Sequence, residues 1–176
     1  MSDVPQEHVP TFPYRLIDIV VMGKTPSLDI FSSPSKKDYE DAKRILEDLG
    51  IANLAEKPYT QLGDGERQLA LIARALMQKP KALLLDEPTK YLDVRNKVKV
   101  LTMVRRLAYE KKLTIFMTLH DPNDAIIFSD RIVLIDNGEI KKSLPSEKIT
   151  EDDLRKVYGI PFKVIKMEIS KQSCPP

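Results

Sequence analysis

Three apolar runs stand out along the chain: ALLLDEP at 82–88, LTIFMTLH at 113–120 and RIVLI at 131–135. Continuous runs of this length read as buried parallel strands. The stretches between them, RNKVKVLTMVRRLAYEKK and the segment from Asn123 to about Ser129, read as helices. Strand, helix, strand, helix, strand predicts right-handed crossovers and one parallel sheet. The first half of the chain has helical spacing instead. YRLIDIVVMG predicts a short helix, with Gly23 where a left-handed C-cap would sit. Ser35 and Asp38 form a capping-box pattern opening KKDYEDAKRILEDLG, which Gly50 closes. Within it Tyr39, Ala42, Ile45, Leu46 and Leu49 share one face. In QLGDGERQLALIARALMQKP the stripe is Leu69, Ile72, Ala73 and Leu76. Asn137-Gly138 in DNGE predicts a hairpin turn, Thr150 with Asp153 caps a further short helix, and FKVIKMEI has the pattern of a late strand. The proline-rich first fourteen residues and PSLDIFSSPS read as extended chain or loop.

Composition narrows the function classes. Hydrophobic residues make up 42% and charged residues 31% of 176, an ordinary globular balance with room for one domain and a core. The 28 Lys and Arg against 26 Asp and Glu leave a net charge of +2, which supplies neither a basic field for nucleic acid nor a polybasic membrane anchor. Ile19-Val20-Val21-Met22 is too short to cross a bilayer, and MSDVPQEHVP lacks the basic and apolar regions of a signal peptide. Cys174 is the single cysteine, so the expectation is a cytosolic protein without disulfides.

Two stretches invite a nucleotide reading. Gly23-Lys24-Thr25 ends like a P-loop, but that loop needs a glycine five residues before its Gly-Lys pair, and Asp18 stands there. It should also follow a strand and open a helix, whereas Gly23 closes a helix and Pro26 follows Thr25. A helix end followed by a loop accounts for the stretch, and a P-loop kinase built on it is excluded. ALLLDEP is different. A hydrophobic strand that delivers Asp86 and Glu87 to its C-terminal end puts carboxylates at the crevice where doubly wound sheets bind ligands. Asp86 would hold Mg²⁺ and Glu87 would polarise an attacking water. A polar turn at a strand end has the same pattern, and the residues alone leave both readings open.

The order of motifs decides. Gln6 after Val-Pro, LGDGERQ opening a helix, LLLDEPT, YLD and LTIFMTLHD together resemble the nucleotide-binding subunit of ABC transporters. FPY, VVMGKTP, FSSPSKKDYE, LIARALMQKPKALLLDEPT, LDVRN and MTLHDPNDA are similar to the importers of iron–siderophore, haem and cobalamin complexes. The resemblance covers about Val4 to Ile160. It implies an α/β fold: an incomplete P-loop NTPase (RecA-like) ABC ATPase domain, with a parallel core sheet plus a helical subdomain. It divides the chain into a Q-loop lead-in over 1–6, the helical subdomain over 7–77, the remaining core over 78–160 and a C-terminal strand and tail over 161–176. Gln6 would sense Mg²⁺ and the γ-phosphate. Asp86 would be the Walker B aspartate, Glu87 the general base, Asp93 part of the D-loop between two subunits, and His120 the switch histidine. Leu62, Gly63, Asp64, Gly65 and Glu66 would form the signature turn that holds ATP bound on an opposite subunit. The implied cofactors are ATP and Mg²⁺. The implied partners are a membrane-spanning permease and a second ATPase, as a homodimer or a heterodimer with a paralogue, with no nucleic acid. The implied location is cytoplasmic, peripheral at the inner face of the cell membrane.

The departures from the family pattern carry equal weight. Its signature usually reads Leu-Ser-Gly-Gly-Gln or -Glu. Gly63 lacks the hydroxyl, a loss of about 1 kcal/mol, somewhat more if charge-assisted. A carboxylate at Asp64 about 5 Å from a phosphate, at an effective dielectric near 20, repels each charge by roughly 3 kcal/mol. Lys90 stands where a small polar D-loop residue is usual. The chain starts almost at the Q-loop, and no Gly-x-x-x-x-Gly-Lys occurs in it, so the resemblance implies a form lacking the family's N-terminal third and unable to bind or hydrolyse ATP alone. The lead-in strand is reduced to MSDV, which predicts exposed edges and uncovered apolar faces on ALLLDE and LTIFMT, with low solubility or partial folding in isolation. Two functional readings follow: the ATP-binding, energy-coupling subunit of a metal-chelate importer, or a non-catalytic remnant or interaction module derived from one.

Overall fold

The computed structural model describes residues 2–4, 14–27 and 33–163. Gln6, Cys174 and the greater part of the FKVIKMEI strand expectation lie outside them. The chain divides into two compact units, Met1–His120 and Asp121–Pro176.

The first unit contains a three-stranded parallel sheet in the order β1 (Ser2–Val4), β2 (Ala82–Leu85), β3 (Thr114–Met117). Leu83 pairs with Ser2 on one side and Ile115 on the other, so ALLL is the central strand. β1 has no apolar run of its own and joins by backbone pairing. Among the described residues the unit also has four α-helices: α1 (Leu16–Val21), α2 (Lys36–Asp48), α3 (Asp64–Leu76) and α4 (Val94–Glu110). α3 packs against α1, α2, α4 and β1. Its buried arc is accordingly wider than a single stripe and takes in Ala70, Leu71 and Ala75 as well as Leu69, Ile72 and Ala73. With Leu46, Leu83, Leu85, Leu107 and the fully buried Leu16 they form one hydrophobic core. The predicted face of α2 packs as expected, with Ala42, Leu46 and Leu49 buried and Tyr39 and Ile45 against the core. Its capping box is present: Asp38 N–H donates to Ser35 Oγ, and Ser35 N–H donates to the Asp38 carboxylate.

Three expectations are corrected here. Gly23 is no left-handed C-cap. Its φ is not positive, and the chain runs on from α1 into a 3₁₀ turn over Met22–Ser27. Glycine is required by close approach, because a Cβ there would sit 2.0 Å from the Arg74 carbonyl oxygen of α3. ALLL is not uncovered: Leu83 and Leu85 are fully buried, and the exposed apolar side chain is Phe116 on β3, at 57%. The third apolar run does not join the parallel sheet.

That run belongs to the second unit, where β4 (Arg131–Asp136) pairs antiparallel with β5 (Glu139–Pro145) in a separate two-stranded sheet. The turn is Asn137-Gly138, both at positive φ, as a tight hairpin needs. Ile132, Leu134 and Leu144 on one face pack with Ile149 and with Leu154 of α6 (Glu151–Tyr158). The expected Thr150–Asp153 capping box opens α6. A short helix, α5 (Pro122–Phe128), is capped by Asp121 and contributes Ala125 and Ile126 to the same cluster.

Candidate nucleotide site

β2 and β3 run parallel, so their C-terminal ends lie side by side, and both carry candidate residues past their ends. The chain leaves β2 through Asp86 and Glu87 and leaves β3 through Thr118 and His120. Thr118 N–H donates to the Leu85 carbonyl at 3.0 Å, which holds the two exits together. The Thr118 hydroxyl then bridges the carboxylate residues. It donates to Asp86 Oδ1 at 2.7 Å and accepts the Glu87 N–H at 2.8 Å.

Glu87 itself is in the left-handed region, at φ +44°. A non-glycine residue there costs of order 1–3 kcal/mol, and its neighbours must impose it. They do so from several directions. Besides the amide bond to Thr118, the Glu87 carbonyl accepts from Lys90 N–H at 3.0 Å, closing a turn over Glu87–Lys90 around the buried Pro88. The turn brings the Lys90 ammonium to 3.0 Å from Glu87 Oε2. On the other oxygen, His120 Nε2 lies 2.7 Å from Glu87 Oε1. Lys90 first, and His120 second, hold the Glu87 carboxyl below the usual carboxylate range, and Glu87 in turn raises Lys90. Asp86, Glu87 and His120 are therefore brought together at one sheet end. Sequence reasoning missed Thr118, whose position two before His120 on a strand exit was the available signal. It noted Lys90 only as an unusual D-loop residue.

The signature residues lie at the start of α3. Leu62 is buried in the core, so its side chain anchors the turn and only its backbone remains to face a ligand. Gly63 takes the N-cap position. Only half of a capping box is possible there, since glycine has no side chain to return the bond: Gly63 N–H donates to Glu66 Oε2 at 3.0 Å. Asp64 turns outward, 73% exposed, with Arg67 Nη1 at 3.6 Å. Gly65 is buried against α4, where an added Cβ would meet Asn96 Oδ1 at 2.8 Å. Asn96 is fixed in turn by Asp93, the α4 N-cap, whose carboxylate accepts the Asn96 N–H at 2.8 Å and its side-chain amide at 3.0 Å. The signature turn and the Asp93 segment are thus in contact through Gly65 and Asn96.

Among the described residues no group of three or more His, Cys, Asp or Glu converges as a metal cage. Asp86 and Thr118 nevertheless offer hard oxygen donors at one point. Mg²⁺ commonly keeps several waters and takes one or two carboxylates together with phosphate oxygens, and this donor set fits that mode. Among the described residues no helix is long and apolar enough to cross a membrane.

The parallel sheet, its acidic exit and the helical packing define a partial ABC ATPase fold. The ABC transporter family profile matches residues 4–90. The chain is 34% identical to the molybdate import ATP-binding protein MolC of Haemophilus influenzae, over 90% of its own length and 63% of that protein. It is also 34% identical to the iron(3+)-hydroxamate import ATP-binding protein FhuC of Bacillus subtilis, over 94% of its length and 62% of that protein. A solved inward-facing structure of a metal-chelate type ABC transporter superposes with a TM-score of 0.84 at 34% identity, covering 90% of this chain and 64% of that one. Over residues 4–90 the chain matches the ABC transporter family, and these relatives are ATP-binding proteins of ABC transporters. It spans somewhat under two thirds of the length of the relatives it matches, 63% of MolC and 62% of FhuC.

Proposed function

We propose that this chain supplies the carboxylate and signature portion of the energy-coupling ATPase of an importer for metal chelates of the iron–siderophore, haem or cobalamin type. The observation that carries the reading is the Asp86–Thr118–Glu87–His120 cluster at the end of a parallel sheet. In this role Glu87 orients and deprotonates the attacking water, His120 faces the γ-phosphate, and Asp86 directs Mg²⁺, which when bound neutralises charge on the phosphates. Gln6 would join them as the residue that senses Mg²⁺ and the γ-phosphate, and Asp93 with Leu62 to Glu66 would face a second ATPase subunit across a dimer. The helical portion within 7–77 would dock on a membrane-spanning permease, placing the protein at the inner face of the cell membrane. The relative named for iron(3+)-hydroxamate import and the metal-chelate type transporter support a chelate cargo.

The chain contains no Gly-x-x-x-x-Gly-Lys, and phosphoryl transfer depends on a triphosphate held in place. A titration of the purified chain with a fluorescent ATP analogue should show no saturable binding below about 1 mM, an affinity weaker than ~4 kcal/mol. Micromolar binding would refute this part of the reading. Addition of a P-loop-containing paralogue should yield ATP-dependent association if the chain serves a composite site. Monomers throughout would favour the second reading, a non-catalytic remnant or interaction module. That reading draws on a specific observation, the Lys90 ammonium lying against the Glu87 carboxylate.

A further inference from the structure

Lys90 is bound to Glu87 by construction. A pair of long, solvated side chains gains little from meeting, because each gives up rotamer freedom to hold one geometry. Here the turn sets the two side chains beside each other. Glu87 and Lys90 are the ends of a turn closed by Lys90 N–H to the Glu87 carbonyl, with Glu87 and the following Tyr91 both left-handed, at φ +44° and +64°. The Tyr91 ring centroid lies 5.4 Å from the Lys90 ammonium and holds it from a second direction. Glu87 is equally fixed, by Thr118 at its amide and His120 at Oε1. The same Thr118 hydroxyl donates to the Asp86 carboxylate, so it ties that carboxylate to the backbone of Glu87, whose own carboxylate meets Lys90.

We propose that Lys90 is an internal counter-cation of the Asp86–Glu87 pair and competes with a divalent metal ion for it. Asp86 and Glu87 are consecutive at one strand exit and carry two negative charges there, and Lys90 at 3.0 Å from Glu87 offsets one of them. Metal binding therefore opposes the Lys90–Glu87 pair, and this chain takes up a divalent ion readily only when Lys90 withdraws. The inference rests on the reading of Asp86 as the metal-facing residue.

The test is Mn²⁺ binding to the full chain, followed by electron paramagnetic resonance of the free ion and localised by broadening of the Thr118 and Leu85 amide resonances. Lys90→Met, or Lys90→Gln as a second neutral variant, should bind Mn²⁺ at least about fivefold more tightly than the parent, since a unit charge within a few ångströms of the metal is removed. Lys90→Arg, which keeps the charge, should stay within about twofold of the parent by the same reasoning. Asp86→Asn should abolish the localised broadening. If Asp86→Asn removes binding while the neutral Lys90 variants bind no better than the parent, the proposal is overturned and the metal reading of Asp86 stands. If no variant shows localised binding, both are overturned.

Discussion

Thr118→Val is the most direct probe of the cluster, because it deletes one oxygen and keeps the shape. The hydroxyl makes two bonds, to Asp86 Oδ1 at 2.7 Å and from Glu87 N–H at 2.8 Å. Valine retains the β-branched form that suits a strand exit. A neutral hydrogen bond contributes a net ~0.5–1.5 kcal/mol and one to a charged group ~1.5–3 kcal/mol. Thr118 is exposed, so water replaces part of what is lost, and the expected local destabilisation is about 1–2 kcal/mol. The left-handed Glu87 backbone then loses the contact that fixes its amide. Native-state hydrogen exchange should report this as a roughly 5- to 30-fold faster exchange of the Glu87 amide, the factor that 1–2 kcal/mol corresponds to. The melting temperature should fall by about 2–8 °C, at ~2–4 °C per kcal/mol for a chain of this size. Thr118→Ser, which keeps the oxygen, should restore slow exchange. If the Glu87 amide in Thr118→Val exchanges within about twofold of the parent, where 1 kcal/mol would give about fivefold, the bridge does not hold the residue and the site reasoning fails.

Two further expectations concern the scaffold. Gly23→Ala places a methyl 2.0 Å from the Arg74 carbonyl oxygen, a backbone atom no rotamer change can move. Overpacking commonly costs 1–3 kcal/mol, and we expect about 3 kcal/mol or more here, read as a fall of roughly 1 M or more in the urea midpoint; an unchanged midpoint would refute the close-approach account. In the second unit, Asp153 is 6% exposed and is held below the usual carboxylate range by Lys142 first and the Thr150 cap second. A carboxyl lowered in the folded state contributes stability that is present above its ordinary value of 3.8 and is lost as pH falls through the lowered one. Urea midpoints should therefore decline on acidification below about pH 4, and Asp153→Asn should flatten that decline; an equally steep decline in the variant would contradict the assignment.

The legible part of the fold is the part whose causes are local. Ser35 and Asp38 announce the start of α2, and the α3 stripe and the ALLL run are visible as periodicity because each element is buried the way an ordinary helix or central strand is. The failures share a different cause. RIVLI looks like a parallel core strand because Val133 and Ile135, on the open face of β4, are as apolar as the buried Ile132 and Leu134. Uniform hydrophobicity hides the period of two, although Asn137-Gly138 marked the hairpin that sets its partner. β1 pairs through its backbone and leaves no side-chain signal. Gly23 answers to Arg74, a residue far along the chain. At the site, Asp86, Glu87 and His120 were readable from motif order. The turn that swings Lys90 onto Glu87 depends on a left-handed glutamate, which no composition rule foretells.

The geometry also changes which departure in the signature turn matters most. Sequence reasoning set the Asp64 repulsion, roughly 3 kcal/mol per charge at a dielectric near 20, above the missing Gly63 hydroxyl. With the Asp64 side chain 73% exposed, the surrounding medium is closer to water, and the same separation gives about 0.8 kcal/mol per charge. Arg67 at 3.6 Å offsets part of that. The lost hydroxyl at Gly63, at about 1 kcal/mol, is then at least as large. The turn itself keeps its form, with Glu66 holding the Gly63 amide and Gly65 seated against Asn96. The charge feature that weighs most here is therefore Lys90, whose ammonium lies 3.0 Å from Glu87 Oε2 across a turn closed by the backbone.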